Sequence, residues 1–142
     1  VYKRQVLCNN DIMLCIQPGE HGSTFGGNPL ACAVAKTALE VVIDENLSDN
    51  ANLMGNIFRD ELNKLNSSII KEIRGKGLLN AIEIRKTSSI SAWEICMLLK
   101  NKGLLAKPTH GNIIRFAPPL IINKKEILEC TSIIKDVFKL IE

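Results

Sequence analysis

This sequence predicts a mixed α/β fold whose later part is a compact α+β unit. Three observations carry that reading. Stretches with strand patterning alternate with stretches of helical periodicity in the later part of the chain, and a proline at position 29 opens a long run of small and aliphatic residues. The 142 residues are 46% hydrophobic, enough for a packed core at this length.

Taken in order, Val6 to Ile16 is expected as a strand with a polar interruption at Asn9-Asn10-Asp11, leading into a Pro18-Gly19 turn. Asn28 is a favoured N-cap, and Pro29 suits the first helical position, where its missing N–H costs nothing. The helix that starts there interleaves Ala31, Ala33, Ala35 and Ala38 with Val34, Leu39, Val41 and Val42, so it should be largely buried. A second helix runs over Leu47 to Leu65, with Leu47, Ala51, Met54, Phe58, Leu62 and Leu65 at steps of three and four.

Beyond it, Ile69 to Arg74 and Leu78 to Arg85 are strands around Gly75-Lys76-Gly77. Leu104 to Lys107 and Ile113 to Ala117 are two more around a turn at Pro108 to Asn112. Ser91 with Glu94 is a capping-box start for a helix ending near Gly103, and Asn123 with Glu126 starts the last helix. Ile127, Thr131, Ile134, Phe138 and Ile141 fall on one stripe of that helix and should face the core. The domain boundary is expected near Glu45 to Ser48, giving residues 1–47 and 48–142. An alanine-rich helix cut from the rest of its domain exposes apolar surface, so the chain alone should be poorly soluble or oligomeric.

Composition narrows the function classes. The formal charge of +3 is spread along the chain and the basic segments lack interleaved aromatics, which argues against nucleic-acid binding. No apolar run approaches the roughly 20 residues of a membrane span. Cys8, Cys15, Cys32, Cys96 and Cys130 form no C-x-x-C pair and have no histidine at metal spacing, so they are expected as free buried thiols of a reducing compartment, with no metal site. His21 and His110 both stand beside glycine and belong to loops.

Two stretches carry candidate chemistry. His21-Gly22-Ser23-Thr24-Phe25-Gly26-Gly27-Asn28-Pro29 sets glycines and the hydroxyls of Ser23 and Thr24 before a helix start, an arrangement able to hold a phosphate or carboxylate. A tight loop whose hydroxyls satisfy its own backbone is the other reading. Ile113-Ile114-Arg115-Phe116-Ala117 is a short apolar strand with one guanidinium in its middle. Such a charge is rarely buried alone, and its planar fork grips a carboxylate well. An edge-strand arginine that keeps the edge soluble is the alternative.

Extended from Gln17 to Ala31, the first stretch resembles the class III pyridoxal-phosphate-dependent aminotransferases. Arg74-Gly75-Lys76-Gly77-Leu78-Leu79-Asn80-Ala81-Ile82 and the segment from Gly103 to Leu120 resemble the branch of that family acting on ornithine. The resemblance implies a fragment of a fold-type I transferase: the tail of the large cofactor domain, then a small α+β domain. It implies pyridoxal 5'-phosphate as cofactor, a homodimer in which Thr24, with Ser23, contacts cofactor phosphate across the interface, and Arg115 engaging a substrate carboxylate or an active-site glutamate. The implied partners are small amino acids and 2-oxo acids, with no nucleic acid and no membrane. The implied reaction moves the δ-amino group of ornithine to 2-oxoglutarate.

None of the thirteen lysines stands in the context of the family's Schiff-base site, so no catalytic residue is assigned and the fragment alone should be inactive. Val1 to Gln5 departs from the family pattern and is expected to be non-native. The expected compartment is cytoplasmic, with the mitochondrial matrix as alternative. A sister enzyme of acetylornithine or another ω-amino acid, and a non-catalytic α+β binding domain, are the competing readings.

Overall fold

Helix caps and hairpin turns written into the sequence set most of the architecture. The computed structural model describes residues 8–86 and 88–141, so the expectations for Val1 to Gln5 and for the first residues of the Val6 strand lie outside the described residues. The chain divides after Glu45 into two compact units.

The first unit holds α1 (Asn10–Met13) and α2 (Pro29–Asp44). The strand expected up to Ile16 is, in its described part, one helical turn. Met13 N donates to Asn9 O at 3.0 Å and Leu14 N to Asn10 O at 2.8 Å. A strand needs a neighbour to complete its ladder, and this unit supplies none among the described residues, so local bonds take the backbone instead. Helix α2 starts as expected, with Asn28 Oδ1 accepting from Ala31 N at 3.1 Å and Pro29 in the first turn. The expectation that it is largely buried is corrected, because none of its residues is buried and Leu30 is 75% exposed. The described residues of this unit do not supply the surface its apolar sides call for.

The second unit is a four-stranded antiparallel sheet in the order β1-β2-β4-β3, with β1 at Ile70–Lys76, β2 at Leu79–Ile84, β3 at Lys107–Thr109 and β4 at Ile113–Phe116. Helices α3 (Leu47–Asn63), α4 (Ala92–Asn101) and α5 (Lys124–Leu140) complete it. β2, α4 and β3 form a split crossover, with β4 inserted between the two strands. The buried stripe of α3, from Leu47 through Ala51, Met54 and Phe58 to Leu62, is the one that helical periodicity marks out. In α5 the expected residues Ile127, Thr131, Ile134 and Phe138 are buried. Both meet Ile82, Ile84, Ile114 and Phe116 of the sheet in one core, where the Phe58 and Phe116 rings pack edge to face at 5.7 Å.

Both capping boxes form, Ser91 with Glu94 and Asn123 with Glu126. One strand is displaced from its expected place: β3 begins only at Lys107, and Pro108 and Thr109 belong to it rather than to the turn. Gly103 has φ +87, Gly103 N donates to Lys100 O at 2.9 Å, and Leu104 N reaches back to Leu99 O at 3.0 Å. That closing motif takes Leu104 into the end of α4. Pro108, which cannot donate to a ladder, is tolerated because β3 is an edge strand. Among the described residues no helix is long and apolar enough to cross a membrane.

No disulfide links the cysteines, but the expectation of buried thiols holds fully only for Cys96, whose burial pushes the thiol up to about 11. Cys32 and Cys130 are half-buried, and Cys8 and Cys15 are exposed because no described residue of the first unit is buried.

Candidate cofactor and carboxylate sites

The loop before α2 is shaped by its glycines. Ser23 O accepts from Gly26 N at 3.3 Å, and a Cβ on Gly26 would lie 3.1 Å from the Ser23 side chain. Gly27, at φ +73, then turns the chain into the Asn28 cap. The hydroxyls of Ser23 and Thr24 are exposed and donate to or accept from no other described residue. The loop therefore does not use them to satisfy its own backbone. Two free hydroxyls beside a capped helix start are a donor set that fits a phosphate dianion without a basic side chain. His21, in the same loop, is exposed.

Arg115 stands in the second unit. In β4 the side chains alternate: Ile114 and Phe116 are buried, Ile113 is half-buried and Arg115 is exposed on the opposite face of the sheet. The guanidinium expected to need a buried partner is not buried, and it makes no ion pair or hydrogen bond among the described residues. It lines a groove of about 340 Å³ together with Arg74, Lys76, Leu79, Ala81 and Thr109. The sequence-predicted residues thus fall in both units, Ser23 and Thr24 in the first and Arg115 in the second.

The β1–β2 hairpin that lines part of this groove is tied to α3 by residues that motif reading passed over. Arg59 of α3 donates from Nη1 to Gly77 O at 2.9 Å and to Asn80 Oδ1 at 2.6 Å, while its Nη2 donates to Asn56 Oδ1 at 2.6 Å. Asn80 is 1% exposed, and its Nδ2 also donates to Gly77 O at 3.2 Å. A Cβ on Gly55 would lie 1.9 Å from Gly77 O, so the helix and hairpin backbones can approach only because position 55 is glycine. The signal available in the sequence was a polar residue, Asn80, at an inward position of an otherwise aliphatic strand.

Between β1 and β2 the charges of Lys71, Glu72, Arg74 and Glu83 compensate one another. Lys71 Nζ and Arg74 Nη1 donate to Glu83 at 2.6 and 2.8 Å, and Arg74 also reaches Glu72 at 2.8 Å. The bonds from Lys71 and Arg74 hold the Glu83 carboxyl down at about 2.

Residues 2–138 match the family model for class-III aminotransferases. The chain belongs to that family. A class-III aminotransferase relative from Rattus norvegicus, named ornithine aminotransferase, mitochondrial, is 60% identical over 129 residues, 91% of this chain and 29% of that protein. Its Drosophila melanogaster counterpart of the same name is 58% identical over 92% of this chain and 30% of that one. The chain spans under a third of the length of these curated relatives. Among solved class-III aminotransferases, Plasmodium falciparum ornithine delta-aminotransferase superposes with a TM-score of 0.86 at 44% identity, over 95% of this chain and 35% of that one. Acetylornithine aminotransferase from Elizabethkingia anophelis superposes at 0.83 with 57% identity, over 94% of this chain and 36% of that one. The α/β fold-type I assignment made from sequence agrees with these neighbours.

Proposed function

We propose that this chain is the C-terminal portion of an ornithine aminotransferase, with the first unit ending the large cofactor domain and the second forming the small domain. The observation that carries the reading is the pair of uncommitted hydroxyls, Ser23 and Thr24, at the Asn28-capped start of α2 in a chain of this family. Pyridoxal 5'-phosphate, when bound, supplies the electron sink for transamination. Thr24, with Ser23, holds its phosphate from the neighbouring subunit of a homodimer, hydroxyl to oxyanion. Arg115 holds a carboxylate of the amino acid or 2-oxo acid from the open face of the sheet, where its guanidinium has no internal partner. The lysine that carries the cofactor belongs to sequence outside this chain.

Ornithine is favoured as donor by the names of the curated relatives, at 60% and 58% identity. The second reading, an acetylornithine aminotransferase, is supported by the 57% identical Elizabethkingia structure. We place the intact enzyme in mitochondria rather than the cytoplasm, following the rat and Drosophila names.

The test uses the full-length protein with 2-oxoglutarate and either ornithine or N-acetylornithine. Turnover of ornithine alone supports the first reading, and preference for the acetylated donor supports the second. In the same protein Thr24→Ala should weaken cofactor retention by about tenfold, the loss of one charge-assisted hydrogen bond. Equal dissociation of cofactor from variant and parent on dialysis would remove Thr24 from the phosphate site.

A further inference from the structure

The open face of the sheet sets like charges directly opposite one another twice. In one row Glu72 of β1 faces Glu83 of β2. In the next, Lys107 of β3 faces Arg115 of β4, with Ala81 and then Arg74 continuing the row across β2 and β1. Directly opposed residues share a face with Cβ atoms about 5 Å apart, and like charges there destabilise the sheet.

The two rows are treated differently. The acidic pair is neutralised by Lys71 and Arg74, with bonds of 2.6 to 2.8 Å. The basic pair is left bare: Lys107 and Arg115 are both exposed, and neither makes an ion pair or hydrogen bond among the described residues. Arg74, the next cation in the row, is already committed to two carboxylates. Between Arg74 and Arg115 stands only the methyl group of Ala81, so nothing on that strand fills the lane. A sheet that compensates one repulsive pair and leaves its neighbour uncompensated is arranged for an anion from outside.

We propose that Lys107 is a second carboxylate-binding residue beside Arg115, and that the pair makes the site select a dicarboxylic 2-oxo acid over a monocarboxylic one. The inference rests on the reading that Arg115 meets a substrate carboxylate. Two long arms rooted at opposed positions reach the same small anion. The guanidinium supplies the fork, and the ammonium supplies a mobile point charge that rewards the second negative charge of the ligand. Lys76 is a further cation on this face without a partner among the described residues, but Lys107 is the one cation directly opposite Arg115, and the match of a dianion to that opposed pair identifies the occupant.

The full-length protein tests this in two ways. Lys107→Gln should raise the KM for 2-oxoglutarate about tenfold, the size of one lost charged contact. The change should fall in KM rather than kcat, with the KM for pyruvate nearly constant. Lys107→Arg should restore the parent value, and high salt should erase the difference between parent and variant. Calorimetric binding of glutarate needs no turnover and should weaken by the same factor. Unchanged glutarate affinity, or equal effects on 2-oxoglutarate and pyruvate, overturns the role of Lys107. Should the parent protein transaminate nothing while Lys107→Gln still weakens glutarate, the carboxylate site stands and the aminotransferase reading fails.

Discussion

Helices α2 and α3 have nearly equal length, 16 and 17 residues, and opposite fates. The more apolar of the two, α2, buries nothing, whereas α3 buries Leu47, Ala51, Met54, Gly55, Phe58 and Leu62. Apolar content is therefore a poor guide to burial. A helix with one apolar stripe needs one partner surface, and the second unit provides it through Ile82, Ile114 and Ile134. A helix that is apolar on several sides needs partners on several sides. Its Leu30, Val34, Leu39 and Ile43 are exposed, because the described residues of the first unit offer no such partners.

The sharpest way to break this contrast is to truncate one side chain in each helix. Leu62 is fully buried, so Leu62→Ala should cost about 2 to 5 kcal/mol through lost transfer energy and the cavity left behind. Val34 is 62% exposed, and Val34→Ala should change the stability of this chain by less than about 0.5 kcal/mol. Urea unfolding followed by Trp93, the single tryptophan, reads the second unit. Circular dichroism reads α2 as well. A large effect of Val34→Ala here would mean that α2 is packed in solution.

A smaller effect should follow from the polar attachment that α3 makes. Arg59→Ala strands the buried Asn80 amide oxygen and leaves the Gly77 carbonyl with Asn80 Nδ2 as its remaining side-chain donor. About 1 to 3 kcal/mol is the usual penalty for stranding a buried acceptor. Arg59→Lys should recover only part of it, because one ammonium cannot reach Gly77, Asn80 and Asn56 in the forked geometry of the guanidinium. Equal stability of parent and Arg59→Ala would show that the hairpin is held by packing alone.

How much of this was legible in the sequence follows the same division. Signals that act within a few residues were readable: the Asn28 cap, both capping boxes and the stripes of α3 and α5. The segment before Ile16 misled because its extended form needs a strand from elsewhere, and local bonds prevail without one. β3 was misplaced because the left-handed Gly103 draws Leu104 into the helix end, a choice that apolar patterning does not encode. At the candidate sites, motif likeness is what points to Ser23, Thr24 and Arg115. The Arg59–Asn80 bond and the opposition of Lys107 to Arg115 were not legible, because their partners lie across the fold and meet only through tertiary contact and strand register.

The least of the expected effects concerns acid. The first unit offers Lys36 and Glu40 as an exposed pair at 3.5 Å, which contributes little to stability. In the second unit, Glu83 is held down at about 2 by Lys71 and Arg74. Because its folded value lies below the ordinary carboxylate range, the stability it lends is fully present above that range and drains away as pH falls from there through about 2. Glu61 is shifted in the same direction by Lys64 and Lys135 and adds to the trend. Glu83→Gln should therefore lower stability near neutral pH and flatten the acid limb of a urea midpoint profile read by Trp93. Parent and variant should converge at the lowest pH, where the parent carboxylate is protonated too. Parallel profiles, offset by the same amount at every pH, would mean that Glu83 acts by shape and hydrogen bonding rather than by its charge.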